Sequence, residues 1–282
     1  MNGLPLTRTA RSMLPGYRLS MGITLAWLAF ILLLPLAVLL LSFVQLSPQQ
    51  MLHTATSARV LAAFAVSIGC SLVAALIATL LGGVMAWVLV RYRFPGRPLL
   101  DALVDMPFAL PTAIAGIALA AIYAPDGWVG QYLQPLGIEI VFNRLGIVLA
   151  LTFIGTPFVV RSLQPVIREL EPEAEQAASS LGATPWQLFT RILLPQLLPA
   201  AIGGFALAFA RGLGEYGSVI FLSGNVPMVS EVVPLAIVTA LESYDMAGAT
   251  VMAVMMLLLS FVLLYLLNRL QQWQVRRNRG LA

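Results

Sequence analysis

Lysine is absent from the 282 residues, and all 16 basic residues are arginine. A G-x-x-x-x-G-K-[ST] phosphate loop requires its lysine. The chain therefore carries no such ATP site, and any ATP-Mg it depends on is hydrolysed by a partner, with no cofactor bound directly. Histidine and cysteine occur once each, as His53 and Cys70, which excludes a disulfide, a multidentate metal site and a Cys/His catalytic pair within the chain. His53 is expected in a wet loop and Cys70 in an apolar helix. No Ser/His, Cys/His or metal-ligand arrangement falls within the apolar runs, so the chain is not read as an enzyme. Charge is scarce as well: 10% of residues are charged and 60% are hydrophobic, with a mean hydropathy of +0.91. That is far above an ordinary soluble domain. The expected surrounding is a lipid bilayer, and nucleic acid is not an expected partner.

Long uncharged runs are what the sequence has in place of charge. A spanning helix needs about 20 mostly apolar residues, and six runs approach or exceed that length: Ile23–Val44, Val60–Val90, Met106–Ala124, Leu145–Val160, Leu197–Leu222 and Met246–Asn268. The expected fold class is an all-α membrane protein with six transmembrane helices in one domain, residues 23–268. A segment 1–22 precedes it and a basic tail 269–282 follows. The first run exceeds the roughly 7 to 15 residues of a signal-peptide core and has no A-x-A-like site near its end, so it reads as a retained anchor. The fourth run is short, which places Arg144 and Arg161 at its two ends, snorkelling to the interfaces. Outside the runs, thirteen arginines fall on one side and only Arg59 and Arg144 on the other, with Arg211 inside a run. The positive-inside rule then puts both termini in the cytoplasm of a multi-pass inner-membrane protein. Val232–Leu241 is apolar but too short to span, and is expected as a re-entrant or interfacial helix on the outer face.

The longest cytoplasmic loop, residues 161–196, is dense in helix punctuation. Pro172 suits a first helical turn, where Glu173 and Glu175 complement the helix dipole. Gly182 ends that helix, because glycine accepts the left-handed conformation of a sharp C-cap. Thr184, Pro185 and Gln187 then form a capping box for a second short helix. That helix presents Trp186, Phe189 and Ile192 at intervals of three, a greasy stripe that either packs on the protein's own helix ends or docks on another subunit.

Within the fifth run, Arg211 and Glu215 are spaced i to i+4, on one helix face. Each charge at a helix centre costs about 2.5–3.5 kcal/mol, whereas each large aliphatic residue or Phe contributes only about 0.3–0.6. The pair is therefore expected to face the bundle interior or an aqueous cavity, with Gly203, Gly204, Gly212, Gly214 and Gly217 allowing close helix packing. It serves either to lock helices together or to place Arg211 on an anion path. Asp105 reads as a solvated carboxylate near a helix end in preference to a gate residue.

Gln176-Ala177-Ala178, Gly182 and Ile192-Leu193-Leu194-Pro195 keep every spacing of E-A-A-x3-G-x9-I-x-L-P, the EAA loop of ABC importer permeases. Glutamine replaces glutamate at its first position. FARGLGEYGSVIFLSGN, together with ALPTAIAGIAL, YAPDGWVGQYLQPLGI and RLGIVLALTFIGTPFVVRSLQPV, resembles the sulfate/thiosulfate permeases of the CysT type. The resemblance implies a type I ABC importer permease fold whose coupling helices seat in a partner ATPase. Gln176, Ala177, Ala178, Gly182, Trp186, Phe189, Ile192 and Pro195 would carry that coupling. It also implies that spans three to six line the pathway, with Pro107, Pro111 and Gly116 making span three irregular. The partners implied are two ABC ATPase subunits, a periplasmic sulfate-binding protein, and a second related permease or a second copy of this chain. Alternatives in function are a molybdate or tungstate ABC permease, whose substrates share sulfate's charge and shape, and a secondary anion carrier using Arg211 and Glu215 as a relay.

Overall fold

The computed structural model describes residues 17–279, and every regular element among them is helical. Residues 1–16, with Arg8 and Arg11 of the expected amino-terminal segment, and the last three residues of the tail lie outside the described residues. The chain divides into two compact units, Met1–Pro48 and Gln49–Ala282.

In the first unit, α1 (Tyr17–Leu28) runs through a π-helical turn (Ala29–Leu33) into α2 (Leu34–Val44). The widened turn precedes Pro35, which has no N–H to donate and crowds the carbonyl one turn back. Leu19–Val44 is long and apolar enough to cross a membrane and has no buried residue, as befits a helix that is hydrophobic all round and suited to lipid.

The second unit contains α3 (Pro48–Ala55), α4 (Ala58–Arg91), α5 (Arg97–Val104), α6 (Met106–Ala109), α7 (Thr112–Tyr123), α8 (Gly130–Leu133) and α9 (Arg144–Glu169). These are followed by α10 (Pro172–Ser180), α11 (Pro185–Leu188), α12 (Leu194–Leu213), α13 (Val219–Leu222), α14 (Val233–Glu242) and α15 (Met246–Arg279). Side-chain caps fix two of the long starts: Ser57 accepts from the Val60 N–H and Asn143 from the Leu145 N–H. His53 is exposed on α3, not in a loop, while Cys70 is buried in α4 as expected.

Among the described residues, five helices are long and apolar enough to cross a membrane: Leu19–Val44, Ala58–Arg91, Arg144–Glu169, Pro185–Leu213 and Met246–Leu267. The third expected span, 106–124, is broken. Leu110 is extended (φ −84°, ψ 136°), the conformation that a following proline imposes, so α6 stops there and α7 starts after Pro111. The fourth span is not short. α9 runs on for 26 residues, so Arg161 lies within it and the connecting segment begins only after Glu169. The fifth span does not reach Leu222 unbroken: α12 ends at Leu213, with Gly214 as its cap, and α13 restarts at Val219. The last helix passes Asn268 and continues to Arg279.

α4, α9 and α12 pack against one another as the centre of this unit. The contact face of α4 is made largely of small residues. α4 buries Ala63, Ser67, Ser71, Ala74, Ala78, Gly82 and Ala86, and exposes Leu61, Leu72, Leu76, Leu80 and Val84. This inverts the soluble pattern, as expected where lipid is no worse a solvent for leucine than the bundle is. A Cβ at Gly204 of α12 would lie 2.8 Å from the Val159 Cα of α9, and one at Gly82 of α4 would lie 3.0 Å from the Val159 Cβ. Three backbones therefore converge around Val159. α14, at the end of the bundle that carries Arg59, packs on α15 and α4, with Val233, Leu235 and Ala236 buried. It is the short, non-spanning helix the sequence predicts.

Replacing Gly204 by isoleucine forces α9 and α12 apart and is expected to destabilise the bundle by about 1–3 kcal/mol. Leu80→Ala, on the 72% exposed face, is expected to leave stability unchanged. Thermal unfolding of the purified protein in detergent checks both.

Candidate coupling loop and intramembrane charge pairs

α10 opens with Pro172 in its first turn and Glu173 and Glu175 beside it. It closes on Gly182 at φ +79°. The Ala183 N–H donates to the Ala178 carbonyl and the Gly182 N–H to that of Ser179, both at 3.0 Å, so the turn is a Schellman cap. One residue later, the Thr184 hydroxyl accepts from the Gln187 N–H at 3.3 Å while the Gln187 side chain accepts from the Thr184 N–H at 2.9 Å. Two helix ends are thus tied off within a few residues, and the angle between α10 and α11 is fixed by hydrogen bonds.

Beyond α11 the chain passes through a π-helical turn (Phe189–Leu193) into α12, ahead of Pro195 as the first one precedes Pro35. α11 and the fifth span are one continuous rod, Pro185–Leu213. Leu188, Leu193 and Leu197 sink into the same apolar cluster as Leu89 of α4 and Leu163, Ile167 and Leu170 of α9 and its end. The opposite side is uncovered: Leu181 is 90% and Trp186 72% exposed, with Phe189 stacked obliquely on Trp186 at 6.1 Å between ring centres. The protein's own helix ends cover Ala178 and Leu193 but not that stripe. Gln176, Ala177 and Pro195 are exposed and Ile192 is half-buried.

Arg211 and Glu215 meet as the spacing predicts, Nη1 to Oε2 at 2.7 Å, although Glu215 lies just past the end of α12 and not on its face. The Glu215 carboxylate, 1% exposed, also accepts from the Ser218 N–H at 3.0 Å and the Ser218 hydroxyl at 3.1 Å. It therefore satisfies polar groups that the helix break would otherwise strand. Gly116 and Gly217 let α7 and this break approach closely, since added Cβ atoms would meet the Ser218 carbonyl at 2.6 Å and the Thr112 hydroxyl at 2.2 Å. Gly116 thus serves contact, and the irregularity of the third span comes from the Leu110–Pro111 break. The Arg211 side chain remains 38% exposed.

Four further ion pairs among the described residues are not evident from the sequence. Asp105 is no free carboxylate: Arg161 donates to it through Nε at 2.8 Å and Nη2 at 2.5 Å, and through Nη1 to Asp101 at 2.8 Å. The Asp101 carboxyl is held below the usual carboxylate range, first by the Gln164 amide at 2.9 Å and then by Arg161, against partial burial. At the other end, Glu231, 0% exposed, takes a bidentate pair from Arg59 at 2.8 and 2.6 Å. Arg91, the last residue of α4, pairs with Glu175 of α10.

The structure thus combines a discontinuous third span with long helices and a doubly capped turn at one end. The same fold is found in the crystal structure of a bacterial ABC transporter that imports the acidic polysaccharide alginate, with a TM-score of 0.74 at 18% identity over 91% of this chain and 96% of that one. Residues 78–280 match the binding-protein-dependent transport system inner membrane components. The sulfate transport system permease protein CysT of Escherichia coli is 45% identical over 96% of this chain and 98% of its own length. A probable sulfate transport system permease protein of Nephroselmis olivacea is 48% identical over 89% and 88%. The chain belongs to the binding-protein-dependent transport system inner membrane components and, within them, to the CysT-type permeases.

Arg211→Ala strands the buried Glu215 carboxylate and is expected to destabilise the protein by about 3–5 kcal/mol. Glu215→Gln keeps an acceptor for Ser218 and leaves a half-exposed arginine, so its loss is expected to be smaller. Unfolding temperatures of the two variants in detergent check the order.

Proposed function

We propose that this chain is the permease subunit of an ATP-driven importer that takes sulfate or thiosulfate from a periplasmic binding protein into the cytoplasm. The observation that carries the mechanism is the uncovered stripe of Leu181, Trp186 and Phe189 on a doubly capped turn, continuous with α12 and directly following α9. An apolar stripe at a water-facing bundle end is unfavourable unless another subunit covers it. A rigid turn passes a displacement at that stripe into the membrane helices, where a flexible one would absorb it. Two ATPase subunits are the engine this reading requires, beside a second permease chain.

The orientation follows from the arginine partition: the loop, the end of α4 and both termini face the cytoplasm. The substrate class rests on the names of the relatives, sulfate transport system permease proteins. A doubly charged oxyanion crossing an apolar bundle needs a cation on its route. The Arg211 side chain is 38% exposed, within reach of a passing anion. In this reading Glu215 holds the guanidinium in place, and the anion meets it in passing. Tight binding is left to the soluble partner.

Gly182 gives the test. A Cβ there meets nothing within 4 Å, so a substitution acts through the left-handed backbone alone. Gly182→Asn, which tolerates that conformation, is expected to keep sulfate uptake. Gly182→Val is expected to insert normally yet lower sulfate transported per ATP hydrolysed in reconstituted complexes. Equal ratios in the two variants would overturn the coupling assignment.

A further inference from the structure

The loop is covalently continuous with α9 on one side and α12 on the other, but α4, the third member of the central trio, has no chain connection to it. Apolar contact links them: Trp87 and Val90 of α4 pack on the cluster that also receives Leu188. Such contact is non-directional and lets surfaces slide. One directional bond joins them as well. The Arg91 Nη2 donates to the Glu175 carboxylate, with both side chains mostly buried, and the guanidinium lies 5.0 Å from the centre of the Trp87 ring one turn earlier on α4. The cation–π contact pins the arginine to its own helix, so the arm to Glu175 is held short. The Arg91 Nε is buried and has no partner among the described residues, so the arginine keeps this position at a desolvation cost.

We infer that Arg91 and Glu175 form a strut that makes α4 follow the coupling loop, so that α4, α9 and α12 move as one body when the ATPases close. They are positioning residues: neither lies near Arg211. The inference rests on the docking of the loop on an ATPase and assigns a task to Glu175, which immediately precedes the glutamine standing where the EAA pattern has glutamate. Losing the strut leaves α9 and α12 driven while α4 slips at the Trp87 contact.

The test uses the full complex in proteoliposomes, with sulfate uptake and ATP hydrolysis measured together and ATPase recovery followed on purification. Arg91→Glu and Glu175→Arg are each expected to lower sulfate moved per ATP by about fivefold or more. The double exchange R91E/E175R is expected to restore most of it. Glu175→Gln, which keeps the side chain's size, is expected to lower the same ratio with normal ATPase recovery, an effect that a purely structural role would not produce. An unchanged ratio in Glu175→Gln, or a double exchange no better than its worse single variant, overturns the strut while leaving loop docking intact. A wild-type permease that recovers no ATPase overturns both.

Discussion

Close approach of three backbones through small side chains is the constraint on which this bundle depends. In lipid there is little gain in hiding leucine, so the leucines of α4 other than Leu89 face outward, while alanine, serine and glycine predominate on its inner face. Around Val159 the approach is tight enough that Gly82 and Gly204 have no room for a larger residue. Helices meshed in this way resist separation and transmit strain where they touch. That rigidity is what makes a lever at one end of α9 and α12 useful.

The ion pairs follow from the same solvent. Glu215 and Glu231 are fully buried, yet their arginines, Arg211 and Arg59, remain partly exposed. The short side chain goes inside with hydrogen bonds, and the long one reaches from an apolar stem toward water. Each buried carboxylate sits at a place where helix geometry fails: Glu215 at the break between α12 and α13, Glu231 just before α14 begins. A carboxylate can accept from several donors left free at such a break, which a hydrocarbon side chain cannot do.

What the sequence made legible is local. The two caps of the loop and the pairing of Arg211 with Glu215 depend on residues a few positions apart, and each reads directly from residue type and spacing. The Arg91–Glu175, Arg161–Asp105 and Arg59–Glu231 pairs join residues 84, 56 and 172 positions apart. No periodicity connects them, so Asp105 read as solvated and Arg161 as the end of a span. That second reading cut the fourth span short, because a charge with an unseen partner looks like a boundary. The limits of the fifth span failed for the converse reason: its run stays apolar through Leu222, while Gly214, Gly217 and the Glu215 side chain turn the backbone inside it.

The proposed mechanism requires that Trp186 and its neighbours be covered by a nucleotide-hydrolysing subunit on the arginine-rich side of the membrane. Cys70 is buried, so a cysteine placed at Trp186 would be the reactive thiol of choice for a short bifunctional reagent in intact complexes. A crosslink from position 186 to the ATPase is expected, and none from position 80, which is exposed on α4. Labelling of position 186 from the periplasmic side, or a thiol there that reacts freely in the assembled transporter and crosslinks to no ATPase, would contradict it.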